Sequence, residues 1–233
     1  MLAKSEALVL RKIPYSDNSA IIHLFTCEHG KLAFMVNGLH GKQGKAALLQ
    51  PGNWIECVYY YQSSQNLMRI KELHMLPSFP TPSAEPMRIQ LRVFCLELVQ
   101  YSLPDAVQDP NLFTWLKGRM QRLERPDTVL TWFPLLFVLQ LLGELGHAPD
   151  LDSAELRGLN LDTGTTPLSA ALPHHYLHPE QARLSLQLLK GVNPVSDRNA
   201  RRDLLEKWLY YLQKQVFPEK EIRSYSVILD MME

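Results

Sequence analysis

The chain has 233 residues, 46% of them hydrophobic and 21% charged, with a formal net charge of zero, as is ordinary for a soluble globular protein. No apolar run reaches the roughly 18 residues that a membrane span requires, and the N-terminus lacks the apolar core and cleavage site of a signal peptide. The three cysteines, Cys27, Cys57 and Cys95, are scattered without a CxxC pair, which argues against a disulfide framework and a cysteine zinc site. We therefore expect a cytoplasmic protein without a membrane segment.

The neutral net charge conceals a gradient along the chain. Residues 1–80 carry eight Lys and Arg against five acidic side chains, a net charge of +3, and contain four histidines. Residues 81–233 hold 16 basic and 19 acidic side chains, a net charge of −3. This asymmetry indicates a basic N-terminal module on a neutral to acidic body.

Residues 1–76 have the pattern of a β-module. In the stretch 13–38, apolar residues alternate on either side of a turn at 28–30, which predicts a β-hairpin with Ile22 and Leu24 on one face. Further strands are predicted at 7–13, 54–61 and 67–76. Five short strands, each bounded by turn residues, indicate a small closed barrel.

The composition changes after the β-module. Residues 77–86 contain four prolines and no periodicity, which predicts an extended linker and a domain boundary. The residues that follow have helical periodicity, apart from an irregular stretch at 150–177. Helices are predicted at 87–103, 112–123, 128–145, 179–190, 197–216 and 219–231. The fold class is thus α+β in two domains, with a five-stranded barrel in residues 1–80 and an all-α domain in residues 87–233.

Basic and aromatic residues of the β-module suggest nucleic-acid binding. Lys42 and Lys45 lie in a glycine-rich loop that could approach a phosphate, and Arg69 and Lys71 are two residues apart on one strand. A basic groove with aromatic side chains is how oligonucleotide-binding barrels hold single strands. The candidate aromatic residues are Phe34, Trp54, Tyr59, Tyr60 and Tyr61. The alternative is that these lysines are ordinary exposed residues and that most of these aromatics are core residues.

Catalytic and metal-binding patterns are weak. The sequence has no GxSxG, Walker A, GxGxxG or HExxH motif and no obvious carboxylate pair. His174, His175 and His178 cluster in a predicted loop, with His147 preceding the same region, but they lack the ligand set of a zinc site. An enzyme would require a pocket lined by residues such as His147, His174 and Asp150.

Arg198, Arg201 and Arg202 begin a predicted helix whose N-cap is Asp197. Arginine is unfavourable near a helix N-terminus, which suggests an acidic partner for these side chains. The alternative is a solvated first turn.

The hairpin and its flanking residues resemble the N-terminal signature of the RecO family of bacterial DNA repair proteins. The matching positions are Arg11, Tyr15, Asp17, Ser19, Leu24-Phe25-Thr26 and His29-Gly30-Lys31, with Asp17 where the family usually has Glu. Gly146, Pro149 and Leu151 resemble the family's G-x-x-P-x-L segment. Tyr210-Tyr211-Leu212 and the Arg223-Ser224 ending resemble its closing helix. Many relatives carry a four-cysteine zinc module after G-x-x-P-x-L, where this chain has no cysteine, so we expect no metal and no cofactor.

The resemblance implies an oligonucleotide-binding (OB) fold and a non-enzymatic recombination mediator. Such a protein binds single- and double-stranded DNA, anneals complementary strands, and helps RecA load with RecR and sometimes RecF. It contacts the C-terminal tail of the single-stranded DNA-binding protein (SSB), for which Arg198, Arg201 and Arg202 are candidates here. The alternative function is a protein-interaction adaptor of a repair complex with indirect DNA contact. The predicted DNA-binding residues are Arg11, Lys12, Lys31, Lys42, Lys45, Arg69 and Lys71.

Overall fold

A computed structural model describes residues 1–40, 45–76, 84–167 and 175–231. The chain divides into two compact units, Met1–Pro126 and Asp127–Glu233. Among the described residues, no helix is both long and apolar enough to cross a membrane.

The first unit contains the predicted barrel. Its strands are β1 (Leu2–Ser16), β2 (Ser19–Thr26), β3 (Gly30–Asn37), β4 (Trp54–Tyr60) and β5 (Met68–Met75). They close in the order β1-β2-β3-β5-β4, and the parallel β3–β5 pair joins the hairpin to the last strand. This confirms the OB-fold prediction. A helix of four residues, α1 (Lys45–Leu48), lies between β3 and β4.

The barrel core comes from every second residue of each strand. Ile22 and Leu24 of β2 and Phe34 of β3 are fully buried in it, as the alternation predicted. Phe25, on the opposite face of β2, is also fully buried, since Phe113 covers it with a ring-centroid distance of 5.3 Å. One part of the outer barrel surface is therefore covered.

The first strand begins at Leu2, five residues before the predicted start at Ala7. Residues 2–8 pair with β4, and residues 7–16 pair with β2. Because the β4 partner lies about fifty residues further along the chain, no local pattern marks this extension. The register shifts between Val9 and Arg11, where a bulge bends the strand between its two partners.

Two helices, α2 (Pro86–Ser102) and α3 (Pro110–Glu124), complete the first unit. Phe113 of α3 packs against Phe25 and, at 5.4 Å, against Trp54. Lys117 Nζ lies 2.5 Å from Glu6 Oε2 of β1. These contacts hold α3 against the barrel, and α2 belongs to the same compact unit. Most of the predicted linker, 77–86, lies outside the described residues, and the division into domains of residues 1–80 and 87–233 stays a prediction.

A buried ion pair joins the two helices. Arg92 Nη2 lies 2.7 Å from Glu124 Oε1, and the two side chains are only 10% and 6% exposed. We expect Glu124→Ala to lower the free energy of unfolding by about 3 kcal/mol, because it removes the carboxylate that is paired with a buried guanidinium. Urea unfolding of the full chain, with hydrogen exchange of peptides from residues 1–126 as the readout, measures this loss. The control is Lys4→Ala, which breaks the exposed Lys4–Glu56 pair and is expected to cost less than about 1 kcal/mol.

The second unit is mainly helical. Its helices are α4 (Phe133–Glu144), α5 (Leu151–Arg157), α6 (Pro179–Leu189), α7 (Arg198–Val216) and α8 (Ser224–Met231). A short ladder pairs β6 (Leu159–Asn160) with β7 (Tyr176–Leu177). Trp208 of α7 is fully buried, and its indole Nε1 donates a hydrogen bond of 2.9 Å to Ser185 Oγ of α6.

The helices of the second unit differ from those predicted by more than two residues in three places. The helix predicted from residue 128 begins at Phe133, since Pro134 fits the first turn of a helix. Residues 151–157, predicted irregular, form α5, because Asp150 caps this helix by accepting a hydrogen bond from the Ser153 amide at 3.1 Å. The last helix begins at Ser224 rather than residue 219. Asp197 caps α7 as predicted, with its side chain accepting from the Ala200 amide at 2.8 Å.

Candidate nucleic-acid interface

Three of the seven predicted DNA-binding residues line one groove. Lys45, Arg69 and Lys71 line a concavity of ≈ 180 Å³, together with Met35 and Asn37 of β3. Three cations around one concavity can neutralise phosphates of a single strand. We call this concavity the basic groove.

The strand pairing explains how these cations meet. The parallel β3–β5 pair sets Met35 opposite Arg69, so the C-terminal half of β3 lies beside the start of β5. Lys45 opens the short helix α1, whose Ala46 amide donates to the Leu39 carbonyl at 3.1 Å. Lys71 lies at a register shift in β5, where Ile70 pairs with Tyr59 and Glu72 with Val58.

The groove cations are exposed or half-buried and have few partners. Lys71 Nζ lies 3.4 Å from Glu72 Oε1, and because this ion pair is exposed to solvent it contributes little to stability. Lys45 and Arg69 form no ion pair with any residue in the described part of the chain. Their charges are therefore available to an anion. Lys42 lies outside the described residues.

An exposed aromatic side chain adjoins the groove. Tyr60 of β4 is paired with Arg69 of β5, and it is 55% exposed. Directly paired side chains of neighbouring strands lie on the same face of the sheet. The ring and the guanidinium thus form one surface on which a base could stack beside a neutralised phosphate.

The other candidate aromatics serve the fold. Phe34 and Tyr59 are fully buried in the barrel, and Trp54 is covered by α3. Tyr61 is half-buried and stacks on His29 with a centroid distance of 3.8 Å. Their alternation along the strands, which suggested stacking platforms, is the ordinary inward and outward pattern of a barrel.

Arg11 and Lys12 face different surroundings. Arg11 is exposed and pairs with His23, whereas Lys12 pairs with Ile22, whose side chain is in the barrel core. Paired side chains lie on the same face of a sheet, so Lys12 faces the inside of the barrel. Because it is only half-buried, we place it at the open end, the mouth of the barrel. Burial, followed by the charges of Arg11 and Lys31, lowers the pKa of His23 below its ordinary value of 6.5, so the imidazole is neutral at pH 7.

Lys31 holds the C-terminal end of α2. Its Nζ donates hydrogen bonds to the carbonyls of Gln100 at 3.2 Å and Leu103 at 2.5 Å, and pairs with Asp105 at 3.2 Å. The side chain is 14% exposed. A cation at this end of a helix satisfies free carbonyls and complements the helix dipole. The carbonyl partners lie about seventy residues away in the sequence, so nothing near Lys31 could have revealed this contact.

The arginines of the first turn of α7 are largely engaged within the second unit. Arg201 lies over the Trp132 ring at 5.7 Å and donates to the Ser196 carbonyl at 2.6 Å. Arg202 Nε lies 3.4 Å from Glu206 Oε1. Arg198 is half-buried and also has an interaction partner. Arg202 is the most exposed of the three.

The histidine region forms a hydrogen-bonded cluster. Asp162 accepts a hydrogen bond from Tyr210 Oη. His175 Nδ1 lies 3.4 Å from Asp162 Oδ2, and the His175 ring stacks on the Tyr210 ring with a centroid distance of 4.0 Å. These contacts, the Tyr210 hydrogen bond first, lower the pKa of Asp162. Across the described residues, no group of three or more His, Cys, Asp or Glu could hold a metal ion. The residues here do not fit a four-cysteine zinc site, and His174 lies outside the described residues.

Comparison with known proteins agrees with the architecture. The family profile described as "Recombination protein O N terminal" matches residues 1–79, and that described as "Recombination protein O C terminal" matches residues 91–217. The DNA repair protein RecO of Phocaeicola vulgatus is 28% identical over 197 residues, covering 83% of this chain and 81% of the relative. That of Bacteroides fragilis is 27% identical over 194 residues, covering 82% and 80%.

A third relative, the DNA repair protein RecO of Chlorobaculum parvum, is 33% identical over 156 residues, covering 65% of this chain and 58% of the relative. The two family profiles together span most of the chain, on both sides of the predicted linker. The chain belongs to the RecO family of DNA repair proteins.

Proposed function

We propose that this chain is a DNA-binding mediator of recombinational repair. The observation that carries the proposal is the convergence of Lys45, Arg69 and Lys71 on one groove beside the exposed ring of Tyr60. The barrel would hold a strand by neutralising phosphates and stacking a base, without making or breaking a covalent bond. Lys42, which precedes Lys45 in the same connection, is proposed as a further contact, and Arg11 as an outlying one.

Strand annealing follows from this mode of binding. A groove that contacts phosphates and stacks one base leaves neighbouring bases free to pair with a complementary strand. Duplex DNA would be bound through phosphate contacts alone, and less tightly. Lys31 is assigned instead to holding the barrel and α2 together, because its ammonium group is already paired.

The finer parts of the proposal concern partners. As the family resemblance implies, the protein would act with RecR, in some steps with RecF, to help RecA load onto SSB-coated single-stranded DNA in the bacterial cytoplasm. The helical part of the chain is proposed as the protein-binding surface. Arg202, with the neighbouring Arg198 and Arg201, is proposed to contact the acidic tail of SSB, to which its exposed guanidinium is complementary.

The test is binding of a labelled single strand of about 16 nucleotides by the full chain, followed by fluorescence anisotropy across a salt series. We expect affinity to fall as salt rises, and addition of the complementary strand to give annealing faster than without protein. Absence of binding at low salt would favour the adaptor function, in which DNA contact is indirect.

A further inference from the structure

A second concavity lies at the mouth of the barrel. It has a volume of ≈ 410 Å³ and lies at the turn between β1 and β2. Its walls include Lys12, Tyr15, Asp17, Ser19 and His40. We call it the mouth pocket. Its residues, apart from Lys12, were not among those that the sequence suggested for binding DNA.

Hydrogen bonds fix the walls of the mouth pocket. The Asn18 side chain accepts from the His40 amide at 3.0 Å, and the Asn18 carbonyl accepts from the amides of Gly38 at 2.9 Å and Leu39 at 3.3 Å. The β1–β2 turn and the segment after β3 are therefore tied together. Within the turn, the hydroxyl oxygens of Ser16 and Ser19 lie 2.5 Å apart.

The pocket offers three kinds of recognition at once. Lys12 supplies a cation that pairs with no acidic group among the described residues. Tyr15 supplies an aromatic ring that is 69% exposed, although a ring of this size is usually more buried. Asp17 supplies an exposed carboxylate, an acceptor for amino and imino groups.

These three groups together match a nucleotide. The cation suits the phosphate, the ring suits the face of the base, and the carboxylate suits the N–H donors on the base edge. A simple anion would gain from Lys12 but would be repelled by Asp17. The volume is of the order that encloses a small ligand.

The mouth pocket and the basic groove lie at the same end of the barrel. Ser19 of the pocket is the direct β-sheet partner of Asn37 of the groove, and Ala20 of the pocket is paired with Val36 of the groove. Neighbouring strands are roughly 5 Å apart, which is less than the span of one nucleotide step in an extended strand. A strand bound in the groove can thus reach the pocket without a long detour.

We infer that the mouth pocket receives one unpaired nucleotide of the strand held in the basic groove. This inference rests on the proposed function and adds to it a preference for single-stranded DNA. Bases of a duplex are paired and stacked, so they cannot enter without unpairing. The pocket therefore selects single-stranded over double-stranded DNA, whereas the groove alone would bind both.

The first test compares Tyr15→Ala with wild type in the full chain, using fluorescence anisotropy with a single strand and with a duplex. We expect the affinity for the single strand to fall about tenfold and that for the duplex to stay unchanged, since base–aromatic stacking is lost only with the single strand. Tyr15→Phe keeps the ring and should retain the affinity. Equal effects on both DNAs, or no effect on either, would overturn the inference.

The second test separates the pocket from the groove. Titration with thymidine 5′-monophosphate, followed by NMR, should shift the amide signals of residues 16–19 and of His40. The same shifts should persist in the Lys45→Glu/Arg69→Glu variant, in which the basic groove has lost two of its three cations. If these amide signals do not shift, the inference that the mouth pocket binds a nucleotide is overturned, even where salt-dependent strand binding upholds the proposed function. If these amide signals shift but the chain binds no strand, the proposed function is contradicted, while nucleotide binding by the mouth pocket is upheld.

Discussion

Replacing Lys45 and Arg69 together by glutamate is expected to weaken binding of single-stranded DNA by at least about tenfold at low salt. Both side chains line the basic groove, and neither forms an ion pair with a described residue. The fold does not depend on their charges, so the free energy of unfolding should change little. The loss is therefore assigned to the DNA contact.

The salt dependence gives the sharper measurement for this variant. Each phosphate contact contributes roughly 0.7 to the slope of log affinity against log salt for a single strand, so the slope should fall by about 1.4. The matched control is Lys190→Glu/Lys220→Glu, which makes the same change in net charge at exposed lysines of the second unit. An equal loss in the control would mean that net charge, rather than the groove, governs binding.

Gly30→Ala is expected to destabilise the first unit by about 4 kcal/mol, in the range that marks a specific steric conflict. Gly30 has a φ of +71°, and an added Cβ would lie 2.0 Å from the Val107 carbonyl oxygen. The segment after α2 runs along the start of β3, where the Ala106 amide donates to the Lys31 carbonyl at 2.9 Å. Neither backbone can move without breaking this contact.

Gly38→Ala is the matched control for that substitution. Gly38 has nearly the same φ, +72°, but an added Cβ would meet no atom of the described residues within 4 Å. Only the conformational cost remains, about 1 to 2 kcal/mol. Urea unfolding monitored by hydrogen exchange of peptides from residues 1–126 compares the two variants. Equal losses would show that the Val107 contact adds nothing to the conformational cost.

Local patterns in the sequence predict those parts of the fold that depend on near neighbours. The β2–β3 hairpin follows from alternation around a tight turn, and the start of α7 follows from the capping side chain of Asp197. The start of β1 and the position of α3 over Phe25 depend on partners far along the chain. Such pairings have no signature in a single sequence.

Only part of the candidate site could be predicted, because the rest also depends on contacts between residues far apart in the sequence. The glycine-rich loop points to Lys45 and the spacing from Lys71 points to Arg69. Nothing local distinguishes such residues from Lys31, which caps a distant helix. The mouth pocket was missed because it forms only when the β1–β2 turn and the segment after β3 are hydrogen-bonded. Tyr15 and Asp17 match the family signature, but no local pattern marks them as binding residues.

Cross-linking tests most directly whether the barrel is the DNA-binding element. A single strand carrying 5-iodouracil is bound to the full chain, irradiated, and the attached peptides are identified by mass spectrometry. We expect attachment within residues 54–76, at or near Tyr60, and its loss in the Lys45→Glu/Arg69→Glu variant. Attachment confined to residues 127–233, or unchanged in that variant, would contradict the basic groove as the site that holds DNA.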